Sequence, residues 1–282
     1  MYSDYFKLKF NPFGETPNTK LFFKSKSHVE AISQILEAIK QGHGFSTITG
    51  EVGVGKTILS RMLLNYLGRR IPTALILNPV VNQAELLQSI REEFKISDPV
   101  ESTIKSEYDQ ISKFLIETGA AKKISVLIID EAQRLTFEGL EAVRLLSNLE
   151  TEERKLIHII LVGQPEMNMK LNEFEFRQLN QRIRVRAKIE VLSSHEVESY
   201  LRYRIDLAGG ANFVRFEPAA CQLIAAHAKG VPRLINFLAE AAVARAEVCK
   251  MRLIDTKLVR NILPQPKQAW SHFFKFGRGP HP

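Results

Sequence analysis

The chain has 282 residues, of which 45% are hydrophobic and 25% are charged, and these proportions exclude a fibrous or largely disordered protein. The length predicts about two domains, and two cysteines cannot form a disulfide framework. Lysine and arginine number 39 against 31 aspartate and glutamate, so the net charge of +8 is compatible with an acidic partner but does not require one.

The sequence contains no sign of a signal peptide or of a membrane-spanning helix. The N-terminus lacks a positively charged stretch followed by an apolar one. No apolar run approaches the roughly 18 residues that a membrane span needs. We therefore expect a cytoplasmic protein whose contact with a membrane, if any, is made through a partner.

Residues 1–26 are rich in phenylalanine and tyrosine and contain several proline turns. This composition predicts an irregular segment that packs on the core of the protein. A helical pattern then begins at Ser27, because Ser27 and Glu30 fit a capping box, and it ends at Gly42.

Short apolar strands alternate with helical patterns over residues 27–191. The predicted strands cover residues 45–49, 73–77, 124–129 and 156–162. Their continuous hydrophobicity is typical of a parallel sheet that helices cover on both faces. We therefore predict a three-layer α/β domain over residues 27–191.

The strand signals stop at the end of this domain, and four helical patterns follow. Ser193 and Glu196 fit a capping box at the start of the first, and Asp255 can cap the last. These signals predict a small all-helical domain over residues 192–264. The tail, residues 265–282, mixes basic and aromatic residues and is expected to be flexible.

The segment after the first predicted strand fits G-x-x-x-x-G-K-[ST] at every fixed position. Its glycines allow backbone N–H groups to surround phosphate oxygens, and the following helix adds its positive dipole end. Lys56 is expected to reach the β and γ phosphates of a nucleotide, and Thr57 to offer its hydroxyl to Mg²⁺. A chance glycine-rich turn is the alternative. The motif residues are Gly50, Glu51, Val52, Gly53, Val54, Gly55, Lys56 and Thr57.

An acidic pair follows the predicted strand that ends at residue 129. Asp130 is expected at the carboxyl end of this strand, where open α/β sheets bind ligands, and it would hold Mg²⁺ together with Thr57. Glu131 can accept a proton from an attacking water. An aspartate alone would also suit a kinase or a GTPase, whereas the Asp-Glu pair favours an ATPase that activates water.

Five sequence strings in this order resemble one family. They are residues 50–57 (GEVGVGKT), 127–133 (LIIDEAQ), 161–166 (LVGQPE), 178–183 (QLNQRI) and 230–236 (GVPRLIN). Together they resemble the AAA+ ATPases of the ExeA/GspA type, a group of general-secretion ATPases that includes the ATPase of mannose-sensitive haemagglutinin (MSHA) pilus biogenesis. The resemblance covers residues 1–264. It implies a P-loop AAA+ core with a parallel five-stranded sheet, followed by a small helical lid.

The resemblance also implies two residues that sense the nucleotide. Gln164 resembles the sensor-1 residue, which contacts the γ-phosphate or its water; the alternative is a polar loop residue. Arg233 resembles sensor 2, which reaches the nucleotide from the helical lid; the alternative is an exposed arginine in the first turn of a helix.

A third implied role is that of the arginine finger, which completes the site of a neighbouring subunit. Arg182 resembles this residue, and Arg177, Arg184 and Arg186 are rivals for the role. Basic residues alternate with apolar ones over residues 182–189, which also fits the exposed face of an ordinary edge strand. The basic residues are Arg182, Arg184, Arg186 and Lys188.

The resemblance implies a function as well. It implies ATP and Mg²⁺ as ligands, a homo-oligomeric ring such as a hexamer, and assembly of a type II secretion or MSHA-type pilus system with inner-membrane proteins as partners. The longer members carry a membrane helix and a peptidoglycan-binding domain that this sequence lacks, so we expect the short form that serves pilus biogenesis.

Two alternatives to this function stay open. Transposition regulators and helicase loaders share the core and the order of motifs, and the net charge is compatible with DNA. A nucleotide-gated switch would bind ATP but barely hydrolyse it, and Glu131 argues against that function because a switch needs no base for water.

Overall fold

A computed structural model describes residues 2–14, 18–79, 82–97, 103–152 and 154–263. The predicted tail, residues 265–282, lies outside the described residues. The chain divides into a larger unit, Thr16–Val191, and a smaller one that combines Met1–Glu15 with Leu192–Pro282.

The helices and strands are named here in chain order. The helices are α1 (Tyr2–Tyr5), α2 (Lys26–Lys40), α3 (Lys56–Leu67), α4 (Gln83–Glu93), α5 (Ile104–Ala120), α6 (Phe137–Leu146), α7 (Glu166–Leu171), α8 (Arg177–Arg182), α9 (Ser194–Leu207), α10 (Pro218–Ala228), α11 (Pro232–Val248) and α12 (Thr256–Ile262). The strands are β1 (Phe45–Gly50), β2 (Thr73–Ile76), β3 (Ser125–Ile129), β4 (Ile157–Gly163), β5 (Ile183–Ile189), β6 (Arg215–Phe216) and β7 (Leu253–Ile254).

The larger unit contains the predicted five-stranded parallel sheet. Its strands lie in the order β2-β3-β4-β1-β5, and every neighbouring pair is parallel. Strands β1, β3 and β4 are buried along their whole length, as expected of strands covered on both faces. Strands β3 and β4 are almost continuously apolar, whereas β1 also buries Ser46, Thr47 and Thr49.

Helices cover both faces of this sheet, as the three-layer prediction requires. Leu127 and Ile129 belong to a core cluster with apolar residues of α4, α5 and α6. Val126 and Ile128, which alternate with them along β3, belong to a second cluster with residues of α2 and α3. Alternate side chains of this strand thus point to opposite faces of the sheet and belong to two separate hydrophobic layers.

The smaller unit consists mainly of helices α9 to α12. It also contains the short parallel pair β6–β7, so the prediction of an all-helical domain is corrected at this point. Strands of two residues have no detectable alternation in the sequence, which is why they were not predicted.

The first residues of the chain pack with the helices of this smaller unit. The N–H of Lys9 donates to the carbonyl of Ala208 at 2.8 Å. The Arg204 Nε donates to the carbonyl of Pro12, and the ring of Phe13 lies edge-on to another phenylalanine ring there. The prediction that all of residues 1–26 pack on the α/β core is therefore corrected for the first part of the segment.

Two of the three predicted capping residues begin their helices. Ser193 and Glu196 form the predicted capping box, and Asp255 caps α12. The prediction for α2 is wrong, because Ser25 and not Ser27 caps this helix by accepting the backbone N–H of His28. The buried Ser25 hydroxyl also bonds the imidazole Nδ1 of His28 at 2.6 Å. None of the helices in the described part of the chain is long and apolar enough to cross a membrane.

Candidate active site

The loop between β1 and α3 has the backbone that its glycine motif predicts. Gly53 and Gly55 have φ values of +82° and +105°, which side-chain-bearing residues rarely adopt. A Cβ atom on Gly50 would lie 2.8 Å from the carbonyl oxygen of Ile189, so β5 leaves no room for a side chain there. Helix α3 begins at Lys56, and its first N–H groups are therefore available to an anion at this loop.

Lys56, the first residue of α3, is 6% exposed, and its side chain contacts the loop. Its Nζ donates to the carbonyl oxygens of Gly50 at 2.8 Å and Glu51 at 2.9 Å. Burial lowers the pKa of Lys56, and nearby carboxylates, foremost Glu131 and then Asp130, oppose this effect. The acidic groups therefore favour the charged ammonium that phosphate binding requires.

Strand register brings the acidic pair to the same edge of the sheet as the loop. Thr49 of β1 lies beside Gly163 of β4, and Ile129 of β3 lies beside Leu161 of β4. The residues that follow these three parallel strands consequently meet at the carboxyl edge of the sheet, where α/β proteins bind ligands.

Asp130 and Thr57, the two predicted Mg²⁺ ligands, are in contact. Burial raises the pKa of Asp130, which is 1% exposed, and hydrogen bonding from the side chain of Thr57 and the backbone of Glu131 opposes the rise. Its Oδ1 accepts the Glu131 N–H at 2.9 Å, whereas its buried Oδ2 has no hydrogen-bond partner among the described residues.

An unpartnered buried carboxylate oxygen beside a threonine hydroxyl fits a hard divalent cation such as Mg²⁺. Within the described ranges, no group of three or more His, Cys, Asp or Glu side chains could hold a metal ion. The Thr57 hydroxyl and the Asp130 carboxylate are two oxygen donors, which suit a cation that takes its other ligands from water and from phosphate oxygens, as Mg²⁺ commonly does.

Glu131 has an unusual backbone conformation, and its carboxylate bonds two glutamines. Its φ of +53° lies in the left-handed region, which is strained for a glutamate. Its Oε2 accepts hydrogen bonds from Nε2 of Gln133 at 2.6 Å and Nε2 of Gln164 at 3.4 Å. The structure thus brings Gln164 to the predicted base.

Two residues of the site were present in the sequence strings without an assigned role. Gln133 bonds Glu131, and Glu166 lies close enough to Lys56 to raise its pKa. Their positions in the sequence could have indicated a role at the site. Gln133 is two residues after Glu131, and Glu166 is two residues after Gln164.

Arg182 lies at the opposite edge of the sheet. It ends α8, and the next residue, Ile183, pairs with Phe45 at the start of β1. Gly50 is five residues further along β1, a distance of roughly 16 Å at about 3.3 Å per residue. The side chain of Arg182 is therefore not positioned to reach the phosphate loop of its own chain.

The rival arginines differ from Arg182 in their surroundings. Arg177 stacks on an aromatic ring, with its guanidinium 4.1 Å from the ring centre. Arg184 and Arg186 are exposed on the edge strand β5, and Arg186 donates to the carbonyl of Asn180 at 3.2 Å. The edge-strand interpretation thus applies to Arg184 and Arg186, while Arg182 precedes the strand.

Arg233 belongs to the smaller unit and is exposed in the first turn of α11. Pro232 begins this helix, as predicted. Gly230 has a φ of +71°, and a Cβ on it would lie 2.2 Å from the carbonyl oxygen of Leu192. These features fix the start of α11, and the sensor-2 role of Arg233 stays a prediction.

Comparisons with known proteins bear on the family. The family model described as AAA domain matches residues 39–171. General secretion pathway protein A of Aeromonas hydrophila is 40% identical over 246 residues, which are 87% of this chain and 45% of that protein. The chain therefore spans less than half the length of this curated relative.

Solved structures with a similar fold include the Aeropyrum pernix ORC2 protein in its ADPNP-ADP complexes, with a TM-score of 0.65, 18% identity, and coverage of 89% of this chain and 70% of that one. The Thermotoga maritima RuvB Holliday junction branch migration motor has a TM-score of 0.56 and 20% identity, and the match covers 85% and 68% of the two chains. At these identities the likeness shows the fold alone. The AAA match and the 40% identity to general secretion pathway protein A together show that the chain belongs to the AAA ATPases of the ExeA/GspA type.

Proposed function

We propose that this protein binds ATP with Mg²⁺ at the phosphate loop and hydrolyses it to ADP and phosphate. The observation that carries the proposal is the cluster at the carboxyl edge of the sheet. Lys56 supplies a buried ammonium, and Glu131 supplies a carboxylate that Gln164 bonds. Asp130 supplies a carboxylate oxygen that has no hydrogen-bond partner in the part of the chain that the structure describes. These groups suit phosphate binding, cation binding and activation of water, respectively.

In the proposed reaction, Glu131 accepts a proton from a water molecule whose oxygen attacks the γ-phosphorus of ATP. The bond between the γ-phosphorus and the oxygen of ADP breaks as the new bond forms, and the proton later passes from Glu131 to solvent. Lys56 stabilises the negative charge of the transferring phosphoryl group. Thr57 and Asp130 would hold Mg²⁺, which when bound withdraws charge from the phosphate oxygens.

We propose that Arg182 adds a further positive charge from a neighbouring copy of the chain. Its place at the amino edge of the sheet supports action between copies, because the register puts it far from its own phosphate loop. A ring of identical chains, such as a hexamer, would give each site one such arginine. Sensor-2 action of Arg233 on the nucleotide belongs to the same proposal.

The test is ATP turnover together with binding of a fluorescent nucleotide. Lys56→Ala is expected to lose nucleotide binding, because it removes the cation of the phosphate loop. Glu131→Gln is expected to keep binding and to lower kcat about 10²- to 10⁴-fold. The exposed residues Lys40 and Glu117 provide matched controls, Lys40→Ala and Glu117→Gln. Slow turnover that Glu131→Gln leaves unchanged would instead favour a nucleotide-gated switch.

We further propose that hydrolysis drives the assembly of a secretion system, and more specifically a pilus system with inner-membrane proteins as partners. The identity to a protein named general secretion pathway protein A supports this client. A chimera tests it: the chain replaces the matched segment of the Aeromonas hydrophila protein, and secreted protein is measured. Secretion is expected with the wild-type segment and not with Lys56→Ala. A folded chimera that hydrolyses ATP without supporting secretion would contradict the proposal.

The DNA-associated alternative rests on the core and the order of motifs that transposition regulators and helicase loaders share, and the net charge of +8 is compatible with it. Binding of double-stranded DNA across a salt series distinguishes it, because phosphate contacts weaken steeply as salt rises. Binding that requires ATP, fails in Lys56→Ala and falls with salt would favour DNA as the client. The secretion proposal expects no such binding at moderate salt.

A further inference from the structure

We propose that Gln133 is a positioning residue for hydrolysis, which fixes the carboxylate of Glu131 so that one of its two oxygens is presented to water. This inference rests on the proposed function, because it requires Glu131 to act as the base. Gln133 belongs to the short helical turn Ala132–Arg134 that follows β3.

One amide group connects the ends of two neighbouring strands. Nε2 of Gln133 donates to Oε2 of Glu131 at 2.6 Å, and Oε1 of Gln133 accepts the backbone N–H of Gln164 at 3.2 Å. Glu131 follows β3 and Gln164 follows β4. The Gln133 amide therefore fixes the base relative to the end of the adjacent strand.

The hydrogen bonds to Glu131 distinguish its two carboxylate oxygens. Both side-chain donors, from Gln133 and Gln164, reach Oε2. No residue in the described part of the chain donates a hydrogen bond to Oε1. Because Oε2 is occupied by two N–H donors, Oε1 is the oxygen that can accept a proton from water.

The neighbouring backbone is shaped around the amide of Gln133. A Cβ atom on Gly163 would lie 2.8 Å from Oε1 of Gln133 and 2.9 Å from Sδ of Met167. Glu131 itself adopts a left-handed backbone conformation at φ +53°, which persists only when its surroundings enforce it. A glycine at the end of β4 and a strained glutamate at the end of β3 thus both accompany this hydrogen-bonded bridge.

Gln133→Ala and Gln133→Glu test whether Gln133 acts through its N–H donor or only fills space next to Glu131. Glutamate keeps the length of the side chain but replaces the N–H donor with a second carboxylate next to Glu131. We expect Gln133→Ala to lower kcat by up to about 10²-fold, the size of a small misplacement of a catalytic group, with nucleotide affinity unchanged. We expect Gln133→Glu to lower kcat further. A Gln133→Glu protein more active than Gln133→Ala would overturn the proposal.

A double-mutant cycle identifies Glu131 as the residue through which Gln133 acts. In the Glu131→Gln background, we expect Gln133→Ala to cause no further loss of kcat, since the base it positions is already absent. A full additional loss in that background would contradict the proposal. Gln34→Ala, an exposed glutamine on α2, is the matched control, and thermal melting checks that each variant is folded.

The outcomes separate this inference from the proposed function. If the wild-type protein does not hydrolyse ATP, both are overturned. If it hydrolyses ATP in a manner that requires Glu131, and both Gln133 variants turn over at the wild-type rate, the proposed function stands and the role of Gln133 is rejected.

Discussion

The two edges of the five-stranded sheet carry polar residues of different kinds. At the carboxyl edge, Lys56, Asp130 and Glu131 are gathered by three parallel strands and interact with one another. At the amino edge, Arg182 stands at the start of β5, and the polar side chain of His158 is buried within β4. The comparison supports the proposal that one chain forms the nucleotide site and that Arg182 acts on a different copy.

The largest expected effect is a loss of turnover when Arg182, at the amino edge, is replaced. Arg182→Ala should lower kcat about 10³-fold, because arginine fingers contribute roughly 10³- to 10⁵-fold to phosphoryl transfer. Nucleotide affinity should change little, since Arg182 lies far from the loop of its own chain. Steady-state turnover and fluorescent-nucleotide binding measure the two quantities separately.

Arg184→Ala is the matched control for that change, because Arg184 is exposed two residues later on β5. We expect it to leave turnover close to the wild-type value. A greater loss of turnover with Arg184→Ala than with Arg182→Ala would assign the arginine-finger role to Arg184 and contradict its assignment to Arg182.

The next largest expected effect is a higher magnesium requirement when Asp130, at the carboxyl edge, is replaced. Asp130→Asn removes the charge of the buried carboxylate, so the Mg²⁺ concentration that gives half-maximal turnover should rise about 10- to 100-fold. A magnesium titration of ATP turnover measures this shift. The exposed Asp109 provides the control, Asp109→Asn. An unchanged magnesium requirement would show that Asp130 does not hold the cation.

The smallest effect is on stability and comes from His158. Burial lowers the pKa of His158 to about 4 from the ordinary value of 6.5, so the unfolded chain binds a proton that the folded chain excludes. Stability is therefore lost as the pH falls below about 6.5, and the loss continues until about pH 4. At pH 5 it amounts to about 2 kcal/mol, at about 1.36 kcal/mol per pH unit.

Urea unfolding at pH 7 and pH 5 measures this loss. His158→Gln should reduce the difference between the two pH values, whereas the exposed His227→Gln should not. The imidazole of His158 bonds the Ser46 hydroxyl at 3.0 Å, so the variant is also expected to be less stable at pH 7. An unchanged pH dependence in His158→Gln would assign the effect to other groups.

The parts of the molecule that local patterns determine were predictable from the sequence. The motif at residues 50–57 and the buried strand before Asp130 each depend on a few consecutive residues, and the structure places them as expected. The parallel sheet was indicated by mostly apolar strands such as β3 and β4 that alternate with helices, because such strands need cover on both faces.

The parts that depend on distant contacts were not predictable. The first residues pack with the smaller unit through pairs such as Asn11 and Glu240, whose side chains bond at 2.7 Å although they are 229 residues apart. The amide of Gln133 is similar, because its partner Gln164 lies on a different strand end. A single sequence carries no periodicity or spacing that reports contacts of this kind.

The central claim is that the arginine of one copy completes the site of another. Its most direct test mixes Arg182→Ala chains, which keep an intact nucleotide site, with Glu131→Gln chains, which keep Arg182. The account predicts that the mixture hydrolyses ATP faster than either variant alone, because mixed assemblies contain complete sites. A mixture that is no more active than the sum of its separate components, in assemblies shown to exchange subunits, would contradict it.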